Sequence, residues 1–147
     1  MTTSETSSRE SSLFAQSLRT LVEAFKHPGK ADRETETEPS LSLDETLDLL
    51  GAARRRAVVD ELAKTDQGTI SVGELTEVVA CVEYDCTPSD LTPEQRNRVY
   101  IALYQSHLPR LDAADIVTYD SQTKIVTQGP QFKQLWRVQT ALRDAMS

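Results

Sequence analysis

The chain has 147 residues, a net charge of -7, and 38% hydrophobic and 5% aromatic residues, enough for one modest domain with appendages and too little for a large enzyme cleft. No apolar run approaches the roughly 20 residues that span a bilayer, and the N-terminus MTTSETSSRE has neither the basic nor the apolar region of a secretory signal, so a cytoplasmic protein is expected. The two cysteines, Cys81 and Cys86, are too few for a disulfide framework and fit a reducing compartment.

Residues 1–8 are rich in Ser and Thr and are expected to be disordered. Over residues 9–27, Leu13, Phe14, Leu18, Leu21, Val22 and Phe25 fall on one helical stripe, which predicts an amphipathic helix that stops at His27, Pro28 and Gly29. Its apolar face needs a cover: its own domain, a dimer mate, or a protein partner. Its Arg and Lys residues are offset by Glu10 and Glu23, which argues against a membrane surface. Residues 28–40 hold no large apolar side chain and read as a linker.

A folded domain is expected over residues 41–129. Ser42 with Glu45 has capping-box spacing, and Leu43, Leu47 and Leu50 form the apolar face of a first helix that Gly51 interrupts. A second helix runs from Arg54 to Lys64 with Val58, Val59 and Leu62 inward. Thr69 and Ile70 can add a short strand to a later hairpin. Ser71 and Glu74 then open a third helix whose expected buried stripe is Leu75, Val78, Val79 and Val82. A loop from Tyr84 to Thr92 leads to Thr92, Pro93 and Glu94, the start of a long helix.

That helix carries Tyr100, Tyr104, Leu108 and Leu111 at steps of four, four and three, which predicts one sealed side. From Ile116 the period changes. Ile116, Val117 and Tyr119, then Ile125 and Val126, form two short strands around the polar turn Asp120, Ser121, Gln122 and Thr123. Over residues 130–147, Phe132, Leu135, Trp136, Gln139, Leu142 and Met146 fall on one side of a last helix, and Phe132, Leu135, Trp136, Leu142 and Met146 are the expected dimerisation residues. The fold class is mainly α with a small β-hairpin: a winged helix-turn-helix, in which a helix enters a DNA groove and the hairpin lies along the backbone, with an extra N-terminal helix and a C-terminal dimerisation helix.

Three stretches carry a resemblance. ARRRAVVDELA resembles the first core helix of the arsenic-repressor-like winged helix-turn-helix superfamily, SVGELTEVVA its scaffold helix, and HLPRLDAADIVTYD the end of its recognition helix and the start of its wing. The run RNRVYIALYQSHLPRLDAADIVTYD is similar to an uncharacterised haloarchaeal winged-helix domain family of presumed regulators. The resemblance covers about Leu41 to Gly129 and implies a small DNA-binding regulator. Three features depart from the superfamily. Pro109 sits inside the long helix, where it removes a hydrogen bond and crowds the carbonyl of Gln105, so a kink or restart near Ser106 and His107 is expected. Asp115 replaces a usual Gly, which Asp tolerates because it visits the left-handed region. The loop from Tyr84 to Thr92 is longer than a tight helix-turn-helix allows.

Charge is unevenly distributed. Residues 41–128 hold fifteen acids and eight bases, yet between Thr92 and Leu111 Arg96, Arg98 and Arg110 face Glu94 alone. An acidic body with a basic helix is compatible with double-stranded DNA and suits a salt-rich cytoplasm. The expected DNA contacts are Arg96, Arg98, Gln105, Ser106 and Arg110 on the helix and Lys124 in the wing, since Arg takes guanine edges or phosphates, Gln adenine edges, and Ser either. The bland alternative is solvated helix residues paired with Asp112 or Glu94. Arg54, Arg55 and Arg56 could hold phosphates but are expected to pair with Asp48 or Asp60.

Cys81 and Cys86 with one distant His107 fall short of a zinc pattern, and Cys81 is expected to be a small apolar residue near the buried stripe. With two histidines, no Gly-rich phosphate loop and no Ser, His and Asp grouping, no catalysis, metal or cofactor is expected. The reading is a cytoplasmic, homodimeric, sequence-specific DNA-binding regulator. The rival class is an interaction module built on a winged helix that does not bind DNA.

Overall fold

The computed structural model describes residues 40–147. The segments 1–8 and 9–27, and all but the last residue of 28–40, lie outside the described residues. The described chain forms α1 (Leu43–Leu50), α2 (Ala53–Lys64), β1 (Thr69–Ser71), α3 (Val72–Tyr84), α4 (Pro93–Ala102), a π-helical turn (Leu103–His107), α5 (Leu108–Ala113), β2 (Val117–Asp120), β3 (Ile125–Gln128) and α6 (Phe132–Met146). It is mainly helical with a small antiparallel sheet, an order compatible with a winged-helix-like fold.

The helix starts follow the capping chemistry of the sequence. Ser42 Oγ accepts from the Glu45 amide at 3.1 Å while Glu45 accepts from the Ser42 amide at 3.2 Å, closing the box on two otherwise orphan donors. Ser71 Oγ accepts from the Glu74 amide at 3.1 Å. Thr92 and Gln95 form a second reciprocal box ahead of Pro93.

The three-stranded sheet has the order β1-β3-β2, so the expected strand at Thr69 and Ile70 forms and pairs with the second hairpin strand. The register places Ile70 and Tyr119 opposite Val126, and Ile70, Val117 and Val126 face the core. Asp115 takes the left-handed conformation at φ 62°. Its carbonyl accepts from the Gln131 amide at 2.8 Å. A Cβ on Gly129 would stand 2.6 Å from that same carbonyl oxygen, so only glycine fits where the chain leaves the sheet.

Three helix faces differ from the expected ones. In α1 the buried residues are Thr46, Leu49 and Leu50, whereas Leu43 and Leu47 are exposed. In α3 they are Val72, Leu75, Thr76, Val79 and Ala80, and Val82 is 67% exposed. In α4 and beyond, Val99, Leu103, Leu108 and Leu111 are buried, not Tyr100 and Tyr104. Each alternative stripe also has helical spacing, so periodicity alone could not choose between them.

The C-terminal helix packs on its own domain. Phe132 and Leu135 are core residues, and Gln139 Nε2 donates to the Arg56 carbonyl at 3.2 Å and to Asp60 at 2.8 Å, tying α6 to α2. This corrects the single outward face expected for the dimerisation residues. Trp136 lies in a groove with Ala63, Gln128 and Phe132. Leu142 and Met146 line a separate one of about 620 Å³ with Leu50 and Arg56.

Candidate nucleic-acid interface

The long helix is continuous past Pro109 because it widens first. Its inward residues step from Val99 to Leu103, then five positions to Leu108, then to Leu111. The Leu108 amide donates to the Leu103 carbonyl, the i to i+5 bond of a π turn. Pro109 then falls in the first turn of α5, where a missing amide costs little. The expected restart near Ser106 and His107 therefore takes the form of a π turn.

The outer side of this helix meets the hairpin through tyrosines. Tyr100 and Tyr104 stack with ring centroids 5.9 Å apart, and Tyr119 of β2 meets Tyr104 edge-on at 6.4 Å. Lys124, left-handed at φ 61°, reaches back from the hairpin turn. Its Nζ lies 3.4 Å from the Tyr100 hydroxyl and 5.1 Å from the Tyr104 ring centroid, a cation over an aromatic face. The Tyr100 hydroxyl holds the Lys124 ammonium above its ordinary pKa. Burial pushes the Tyr119 phenol up. The hairpin cation is thus seated on the helix.

The arginines divide. Arg96 bonds Glu77 of α3 at 3.0 Å, and Arg110 bonds Asp48 of α1, with Nε at 2.8 Å. The guanidinium of Arg110 holds the Asp48 carboxyl below the usual carboxylate range. Arg98 instead donates to the Tyr84 hydroxyl at 3.2 Å. The paired carboxylates are not Asp112 or Glu94, as expected, but acids from α1 and α3, so the basic count along the helix overstates the cationic face in space. Gln105 and Ser106 are exposed on the π turn. Among the described residues, Arg98 and Lys124 are the expected DNA-contacting cations for which no carboxylate partner is found.

The triple arginine does other work. Arg55 is buried, and it donates to the carbonyls of Leu49 at 2.8 Å and Asp48 at 2.6 Å. Arg56 donates to the Leu50 carbonyl at 2.6 Å. These are orphan acceptors at the end of α1, which has no basic residue in its own last turn, so α2 caps α1 in trans. Arg54 pairs with Glu83 at 2.6 Å. The expected pairing with Asp48 or Asp60 is corrected: Asp48 holds Arg110, and Asp60 holds Arg143 at 2.9 Å.

Arg55 also places Nη1 3.2 Å from His107 Nδ1. A guanidinium only donates, so Nδ1 accepts and the imidazole is neutral. Burial and then Arg55 hold the His107 pKa below that of a free imidazole. His107 is therefore a structural acceptor behind the π turn. Sequence reasoning missed this contact, which closes over 52 residues.

This geometry defines a class: a mainly helical domain whose longest helical run and short hairpin meet across an aromatic seam. The chain belongs to the family described as a domain of unknown function (DUF7344), which matches residues 47–127. No curated protein and no solved structure matches it. No helix among the described residues is long and apolar enough to cross a membrane.

Proposed function

We propose that this chain is a winged-helix, sequence-specific DNA-binding regulator of halophilic-archaeal type, working in the cytoplasm as a homodimer, with α4, the π turn and α5 as the reading helix and β2-β3 as the wing. The observation that carries the reading is Lys124 seated on Tyr100 and Tyr104, which holds a hairpin cation beside the exposed helix face of Arg98, Gln105 and Ser106. Lys124 and Arg98 would take phosphates while Gln105 and Ser106 meet base edges. Arg96 and Arg110 sit in half-exposed ion pairs, worth about 0–1 kcal/mol, which a phosphate can replace.

Fluorescence anisotropy on duplex DNA across a salt series tests it. If Arg98 and Lys124 alone meet phosphates, log K against log salt has a slope of about -2; if Arg96 and Arg110 exchange partners as well, about -4. Arg98→Ala and Lys124→Ala each reduce the slope by about 1. No retention of duplex at low salt overturns the proposal.

The pairing of Arg96 with Glu77 and of Arg110 with Asp48 favours a second reading, a protein interaction module that does not bind DNA. For oligomeric state, deletion from Pro130 would remove the core residues Phe132 and Leu135, so point changes are the cleaner probe. A homodimer through α6 loses mass in light scattering on Trp136→Ser or on Leu142→Ser with Met146→Ser, and an unchanged particle removes α6 from the interface.

A further inference from the structure

The chain's two cysteines sit where a helix end brings side chains together. Asp85, left-handed at φ 52°, ends α3, and its amide donates to the Cys81 carbonyl. The Cys86 amide donates to the same carbonyl at 3.2 Å. This i to i+5 closure around a left-handed residue is the helix-ending motif whose two outer positions put their side chains in contact. Here those positions are Cys81 and Cys86, and their thiols are hydrogen-bonded. Both are half-buried and pack on the edge of the core.

We propose that Cys81 and Cys86 are a reversible dithiol-disulfide site that closes on reaction with a low-molecular-weight disulfide and staples the end of α3 to the loop leading into α4. The proposal does not depend on DNA binding. The Cys86 thiolate attacks one sulfur of glutathione disulfide, and a glutathione thiolate leaves. The Cys81 thiolate then attacks the Cys86 sulfur of the mixed disulfide and expels the second glutathione. The two thiol protons pass to the two released thiolates, so one disulfide is exchanged for another. Burial, the neighbouring Cys86 thiol and Glu77 push the Cys81 thiol up, which suits it to the resolving step rather than the opening attack. Glu77 is the carboxylate bonded to Arg96, so the switch adjoins the contact between α3 and α4.

The full reduced chain is incubated in glutathione buffers of increasing oxidised fraction, quenched with an alkylating reagent and weighed intact. Both thiols are expected to disappear together, with a loss of two hydrogens from a chain that stays monomeric under denaturing, non-reducing conditions. Cleavage after Glu83, between the two cysteines, then leaves two fragments joined until a reductant is added. Cys86→Ala abolishes the loss of two hydrogens. Two alkylatable thiols at every ratio, stable adducts carrying glutathione on each cysteine, or a bridge between two chains would each overturn the proposal.

Discussion

Arg55 and Arg96 carry the same guanidinium, each on the exit side of a capped helix or loop, and the fold gives them opposite tasks. Arg55 is enclosed among the last carbonyls of α1 and the ring of His107, whereas Arg96 is 41% exposed against a carboxylate that is 42% exposed. Removing the first strands buried acceptors, while removing the second returns a solvated acid to water. An arginine's role is therefore set less by its charge than by whether its partner can find water when it leaves.

The largest expected effect is that of Arg55→Ala, which lowers the unfolding free energy by about 2–3 kcal/mol, read by urea titration. Arg55→Lys recovers little of it, because an ammonium cannot span the two carbonyls and the imidazole. A loss under about 0.5 kcal/mol would erase the contrast.

Next comes pH. The native His107 pKa is depressed, so its contribution is present above the free imidazole range and is lost as pH falls through the native value. Glu83, held below the usual carboxylate range by Arg54, adds a second loss in stronger acid. A stability profile of His107→Gln is expected to be flatter than wild type in the imidazole window and parallel to it in the carboxylate window. Equal slopes in the imidazole window would mean that Arg55 does not hold a neutral ring.

The smallest effect belongs to Arg96→Ala, which changes stability by about 0.5 kcal/mol or less and leaves the urea slope unchanged. A larger loss would place Arg96 with Arg55 and weaken its candidacy for exchange onto phosphate.

Element order was legible because caps and turn residues are local signals: Ser42 with Glu45, Ser71, Thr92 with Pro93, and Asp115 at the helix-to-strand corner all act as their chemistry dictates. Which face each helix buries was less legible. Leu50 belongs both to the stripe with Leu43 and Leu47 and to the one with Thr46 and Leu49, and only the packing partner decides. In α4 the count assumed constant pitch, which the π turn breaks. Arginine partners were hidden for another reason. Arg110 meets Asp48 across 62 residues and Arg54 meets Glu83 across 29, separations over which no spacing rule operates. The hairpin lysine was readable as a cation, but its tyrosine seat was not, because Tyr100 and Tyr104 fit an inward stripe equally well.

The five-residue π turn from Leu103 to His107 has a consequence for how this chain tolerates change in length. It acts as a phase adjuster: one additional residue is absorbed there, so that Leu108 and Leu111 arrive beneath the domain. A chain shortened by one position within it would swing the downstream segment by about 100°, presenting leucines to solvent and Pro109 or Arg110 to the interior. Loop lengths elsewhere can drift, but this stretch is metered residue by residue.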